Sequence, residues 1–294
     1  MPKNLSSANH FFHDLIPIIF YQPAHILYVV DLYEEAANNF LELSSQQRLQ
    51  IIFKLLEKKS KVTNMAKEIG ATVQEVHRNF ARLEDGGFIA KGMDGYYTLT
   101  TYGKTICSQT PSIIFLSRNR KYFEDHTFGD IPPKFIMRIG QLANFTHVRG
   151  VSKVLEQWKS IYKNANQYIY EMLTEIPLDI IEPKVKQITK GVKFNYILSE
   201  STVIPKGRKK LLAKLNYDSL IEKGLIERKM KKTIQTLIVL NEKEASVAFP
   251  NIEGEADITE IFYSTDSMFH EWCLDYFRYN WYESEIFQES KLKE

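Results

Sequence analysis

At 294 residues the chain exceeds the usual single domain, so two domains are expected. Hydrophobic residues at 44% and charged residues at 25% suit a soluble globular protein with a full core. The two cysteines, Cys107 and Cys273, exclude a disulfide framework or a zinc site of their own and fit a reducing, cytoplasmic compartment.

The opening MPKNLSSANH has no basic region followed by an apolar core and a small-residue cleavage site, so no secretory leader is expected. The apolar stretch at 16–30 is interrupted by Pro17, Gln22, Pro23 and His25, and falls short of the ~20 apolar residues that span a bilayer. No membrane partner is expected. His10 and His13, three apart, lack the carboxylate or thiol company that a metal site requires, and no metal or other cofactor is expected.

Residues 24–43 predict an amphipathic helix, with Ile26, Val29, Val30, Tyr33, Ala37, Phe40 and Leu41 at three- and four-residue spacing. This N-terminal extension, residues 1–43, could pack on its own domain or against a partner subunit. Ser44 or Ser45 then caps a helix whose face is expected to carry Leu49, Ile52, Phe53 and Leu56. A short second helix follows, with Met65, Ala66 and Ile69 inward and Gly70 at its turn. Thr72 and Glu75 read as a capping box opening a third helix that ends at Gly86-Gly87. Beyond it FIAKGMDGYYTLT predicts two short strands around a turn containing Gly92, Asp94 and Gly95. Helix, helix, turn, helix, hairpin is the order of a winged helix-turn-helix, expected over residues 44–110.

That order makes double-stranded DNA the expected partner. At 100° per residue Val73, Val76, Phe80 and Leu83 share the core side of the third helix. Arg78 lies opposite, flanked by Gln74, Ala81 and Arg82, with His77 at one margin. Arg reads guanine and Gln reads adenine in the major groove. Thr72, Gln74, His77, Arg78 and Arg82, with Lys91, Tyr96 and Tyr97 from the hairpin, are therefore the candidate DNA contacts. Strand alternation turns one of the two tyrosines inward, and Asp94 at the tip suits a turn rather than a phosphate.

Residues 111–294 predict an α/β domain around one sheet with some antiparallel neighbours. VSKVLEQWKSIYKNA reads as a helix, NQYIYEML, VKFNYIL, IERKMKK, TIQTLIVLN and ASVAFPN as strands, and SMFHEWCLDYFRYNWYES as an aromatic helix. That helix suits core and interface packing, with its surplus of rings available to a ligand cavity or dimer seam. Within this half, residues 184–232 carry 14 Lys and Arg against 4 Asp and Glu, whereas residues 233–294 carry 4 against 13. The two blocks are expected to neutralise each other in one domain. The alternative is that the basic block binds nucleic acid without sequence preference, in a non-specific or protein-interaction module.

The winged-helix segment at 44–103, DIPPKF at 130–135 leading into IGQL at 139–142, VKFNYIL at 192–198 and AFP at 248–250 together resemble one family. Glu271, Trp272, Phe277, Arg278 and Tyr279 extend the match. It is that of archaeal winged-helix regulators whose second half is an output domain first noted in methanogens, relatives of the TrmB-like sugar-sensing regulators. The resemblance implies a phospholipase-D-like, non-catalytic second half that senses an effector or dimerises. This chain departs from the pattern in having residues 1–43 ahead of the winged helix. None of the seven histidines is followed two residues later by Lys, as a phospholipase-D-like nucleophile pair requires, and no GxSxG, P-loop or HExxH motif occurs. A dimeric, effector-responsive transcription regulator without enzymatic activity is the function expected.

Overall fold

The computed structural model describes residues 26–200, 202 and 204–292, with the side chains of the first helix from Tyr33 onward. His10 and His13 lie outside the described residues. The chain is mixed α and β, and divides into two compact units between Ser108 and Gln109.

The first unit begins with α1 (Ile26–Leu43) and α2 (Gln46–Glu57). Ser45 is the cap of α2, accepting from the Arg48 amide. The apolar face of α2 is Ile51, Ile52 and Leu55 together with Arg48; of the expected stripe Ile52 is buried, Leu49 and Phe53 are half-buried, and Leu56 is 47% exposed. Both stripes have helical spacing, so periodicity alone could not separate them. Arg48 decides the rotation, because its Nε and Nη2 donate to the carbonyls of Glu42 and Leu41 at 2.6 and 2.8 Å. A helix C-terminus leaves such carbonyls without partners, and a cation there also complements the dipole.

Next come α3 (Val62–Ile69), α4 (Val73–Asp85), β1 (Ile89–Lys91), β2 (Tyr97–Leu99) and α5 (Thr101–Cys107). Gly70 ends α3 in the left-handed conformation at φ 66°, which costs an L side chain and suits glycine. The core of this unit gathers Ile51, Ile52 and Leu55 of α2, Met65 of α3, and Val76, Phe80 and Leu83 of α4 beneath Phe88, Ile89 and Tyr97. Gly103 allows α5 to lie against the Phe88 backbone, which a Cβ there would strike. Ser60 pairs with Tyr97 through two backbone hydrogen bonds of 3.2 and 2.8 Å, so a single residue adds a third line of pairing to the hairpin.

The second unit contains one eight-stranded sheet. In chain order its strands are β3 (Thr146–Arg149), β4 (Tyr168–Leu173), β5 (Lys193–Ser199), β6 (Ile226–Lys231), β7 (Leu237–Asn241), β8 (Ala245–Ala248), β9 (Glu260–Ser264) and β10 (Glu285–Ile286). Their spatial order is β10-β6-β5-β4-β7-β8-β9-β3. β4, β5 and β6 run parallel; every other pairing is antiparallel. Helices fill the parallel crossovers, as they must where a strand returns in the same direction: α10 (Ile181–Ile188) between β4 and β5, then α11 (Arg208–Lys214) and α12 (Tyr217–Glu222) between β5 and β6. Preceding them are α6 (Thr110–Arg118), α7 (Tyr122–Asp125), α8 (Pro133–Ile136) and α9 (Val151–Asn164); α13 (Ser267–Glu283) comes last.

Alternation along β4 assigns the two faces of the sheet. Tyr170 stacks on Phe277 of α13, whereas Glu171 points the other way, to Tyr162 of α9 and Lys184 of α10. The aromatic helix is largely core: Phe269, Trp272, Cys273, Tyr276 and Phe277 are all buried, and Trp272 Nε1 donates to the Phe135 carbonyl at 3.0 Å. Its surplus rings find partners too. Lys134 sits 4.0 Å over Tyr279, and Lys229 lies 5.1 Å from Trp281. Much of the basic block is likewise engaged, through Lys184 with Glu171, Arg208 and Arg228 with Glu289, and Lys231 with Asp130.

Candidate nucleic-acid interface

α4 is fixed at its start by a complete capping box. The Glu75 amide donates to Thr72 Oγ1 at 3.2 Å, while the Glu75 carboxylate accepts from the Thr72 amide and hydroxyl at 2.9 and 2.8 Å. Those hydrogen bonds, the backbone one foremost, hold the Glu75 carboxyl below its ordinary range. The Thr72 hydroxyl, expected among the DNA contacts, is thus already donating and accepting within the box.

Val76, Phe80 and Leu83 form the buried face of α4. Val73, expected with them, is 50% exposed because it is the first helical residue, one turn beyond the packed layer. On the opposite side Gln74, His77, Arg78 and Ala81 are exposed. The side chains of Gln74, His77 and Arg78 make no hydrogen bond among the described residues.

Arg82 behaves differently from Arg78. Its Nε and Nη2 lie 3.1 and 2.6 Å from the Glu42 carboxylate at the end of α1, a bidentate pair. Glu42 also sits 3.1 Å from Arg48 Nε, so one carboxylate holds two guanidinium groups. Arg82 is therefore engaged with Glu42 rather than free, while its side chain remains 49% exposed. Asn79, on the same flank, donates to Gln47 of α2 at 2.8 Å.

In the hairpin, Gly95 takes φ 75° and the Gly92 amide donates to the Tyr96 carbonyl at 2.7 Å. Asp94 shapes the turn by accepting from the Tyr96 amide at 3.1 Å. It also pairs with Lys59, from the segment between α2 and α3, at 2.7 Å, so its charge is matched within the unit. Tyr97 is the inward tyrosine: it is 7% exposed, and its ring meets Phe80 edge-on at 4.7 Å. Burial withdraws it from the candidate contacts. Tyr96 faces outward between Lys59 and Lys61, whose Nζ atoms lie 5.0 and 4.8 Å from its ring centre. Lys91 is exposed beside the Tyr97 ring. Lys59 and Lys61 were missed by sequence reasoning. The signal was the KKSK run at 58–61: the sequence reading extends the preceding helix through Lys59, whereas α2 ends at Glu57 and the Ser60 pairing brings the run to the hairpin.

In the second unit, no three of the His, Cys, Asp and Glu side chains among the described residues come together as a metal site. Burial pushes the Cys107 thiol up to about 11 and raises that of Cys273 as well, the opposite of what a reactive thiolate needs. No helix of the described residues is long and apolar enough to cross a membrane.

No family model matches the sequence, and no curated protein matches it. Among solved structures, TrmBL2, described as an archaeal chromatin protein with a novel mode of DNA binding, superimposes with a TM-score of 0.39 at 13% identity, over 83% of this chain and 94% of that one. Nuc from Salmonella typhimurium, a phospholipase D family member, gives 0.36 at 12% identity over 50% of this chain and 99% of its own. NucT from Helicobacter pylori gives 0.36 at 12% identity over 49% and 100%. Superpositions this loose do not define a function, which the chain's own residues must carry.

Proposed function

We propose that residues 44–108 form a winged helix that binds double-stranded DNA with sequence preference, as the reading half of a dimeric transcription regulator. The carrying observation is the outer face of α4. Gln74, His77 and Arg78 stand exposed around the small Ala81, without side-chain hydrogen bonds among the described residues, on a helix whose other face is locked into the core. Such a face fits a major groove, where Arg and Gln pair with guanine and adenine edges. Val73 at the tip adds an apolar surface suited to a thymine methyl. Lys61, Lys91 and Tyr96 form the part of the wing that would meet backbone phosphates, fixing register rather than sequence.

The second unit, in this reading, responds to a small-molecule effector or partner and does no chemistry, since the His-x-Lys pair is missing. Sequence-specific reading is favoured over a non-specific role for the basic block because Lys184, Arg228, Lys229 and Lys231 are turned to partners within their own unit. The test is selection from a random duplex pool, followed by binding of the enriched and a scrambled duplex over a range of salt. A regulator prefers the enriched duplex at every salt concentration. Equal affinity for both, falling together with salt, would overturn the reading.

A further inference from the structure

The second unit holds a cavity of about 20 Å³, lined by Glu171, Lys184, Tyr196, Arg208, Leu212, Tyr217 and neighbouring apolar side chains. A space of this size admits one occupant on the scale of a water molecule or a chloride ion. Arg208 is 3% exposed, and its Nε and Nη1 are buried without a hydrogen-bond partner among the described residues. A guanidinium does not give up its proton, so its charge must be met by something else.

The surrounding carboxylates are already spent. Glu171 receives Lys184 Nζ at 2.8 Å on both oxygens and the Tyr162 hydroxyl at 2.8 Å on one. Glu289 lies 3.7 Å from Arg208 Nη1, is half exposed, and is shared with Arg228 at 3.1 Å. Both carboxylates are thus shared among Lys184, Arg208 and Arg228, and neither accepts a hydrogen bond from Arg208 Nε or Nη1 among the described residues. Burial foremost, with Arg208 adding to it, lowers the pKa of Lys184 against the opposing pull of Glu171. Tyr196 and Tyr217 both line the cavity, and the Tyr196 hydroxyl, buried without a hydrogen-bond partner among the described residues, can donate to a guest.

We propose that this cavity binds one small monovalent anion, chloride in size, beside the Arg208 guanidinium. The Arg208 charge sets the sign of the guest, and a space of about 20 Å³ favours a monatomic anion over sulfate, phosphate or a carboxylate with a carbon tail. The anion would accept from the guanidinium and a tyrosine hydroxyl while Leu212 and its apolar neighbours exclude water. Its binding stabilises the second unit by mass action.

The test is thermal unfolding of the full chain at constant ionic strength, with gluconate replaced stepwise by chloride, bromide or sulfate. The expected result is a saturable rise in Tm for chloride and bromide, none for sulfate, and loss of the rise in Arg208→Gln. Bromide-soaked crystals of the unaltered protein give a second readout should that variant fail to fold: an anomalous peak in the cavity supports the proposal. Equal Tm in chloride and gluconate, an Arg208→Gln protein that keeps the chloride response, or a cavity without an anomalous peak would each overturn it. DNA affinity enters neither measurement, so the fate of the DNA reading is decided separately.

Discussion

Arg78 and Arg82 stand one helical turn apart on α4, yet they are committed to different work. Arg78 is exposed, whereas Arg82 closes on Glu42. Arg78→Ala and Gln74→Ala are each expected to weaken binding to a selected duplex by about 1–3 kcal/mol, the worth of a bidentate base contact, with melting unchanged. Quantitative gel shift beside calorimetry checks this, and unaltered affinity in both variants would remove α4 as the reader. Arg82→Ala should do the reverse, lowering stability more than specificity. Helical periodicity placed both arginines on the outside. It could not reveal that a carboxylate 40 residues earlier in the chain waits for only one of them. The same limit hid Lys184, which a sequence reads as one more cation in a basic block and the fold buries against Glu171. Lys184→Met leaves that carboxylate short of its counter-charge, and an expected loss of about 3–5 kcal/mol in urea unfolding follows. The Glu171→Leu, Lys184→Met double variant should recover much of it.

Among elements, the capping box of α4 was legible because its chemistry is local: Thr72 and Glu75 satisfy each other across three residues. Thr72→Ala should cost about 1 kcal/mol of stability in the first unit, read by denaturant unfolding. The hairpin was legible for the same reason, since its glycines mark the turn. The third line of pairing at Ser60 was not, because one residue carries no periodicity. In the second unit the apolar strands β4, β5 and β7 were readable as runs, but β3, β9 and β10 were missed. THVR is short and polar, and β10 has only two residues. β3 and β9 bring a titratable group inside. His147 on β3 is held below its ordinary pKa by burial and by Arg149, against the opposing pull of Glu260. The unfolded chain therefore binds the proton first as pH falls. Stability contributed by neutral His147 is present above the unfolded value, about 6.5, and is lost as pH drops below it towards the folded value. Asp257 acts in the same sense at lower pH: burial raises its pKa, but hydrogen bonds from Thr259 and His126 outweigh that and lower it. A melting temperature that falls on mild acidification, and falls less in His147→Gln, is the expected profile.

For the whole molecule, one reading helix covers too few base pairs to choose a site in a genome, so paired readers are required of a regulator. α1 offers the surface. Tyr33, Phe40 and Leu41 are 63%, 62% and 55% exposed, a stripe of large apolar side chains left uncovered, while the C-terminal end of the helix is pinned by Arg48 and Arg82. A second copy packing on that stripe would hold two α4 helices at fixed spacing. A stable interface buries about 1,200–2,000 Å², more than one short helix pair supplies, so further surface must join it. Light scattering on the full chain and on one beginning at Leu43 tests this. A dimer that becomes a monomer on truncation is expected; a monomeric full chain at micromolar concentration would refute pairing, and an intact truncated dimer would place the seam elsewhere.

Each unit also carries one of the two cysteines, and both are sealed: Cys107 is 2% exposed in the first unit and Cys273 fully buried in the second. A thiol reagent can reach either only when its own unit opens. The native chain thus contains two internal clocks. Alkylation followed by intact mass, with each adduct located by peptide, times the opening of each half without a label or a mutation. Duplex DNA should slow the Cys107 clock and leave that of Cys273 running, whereas chloride should slow only the second.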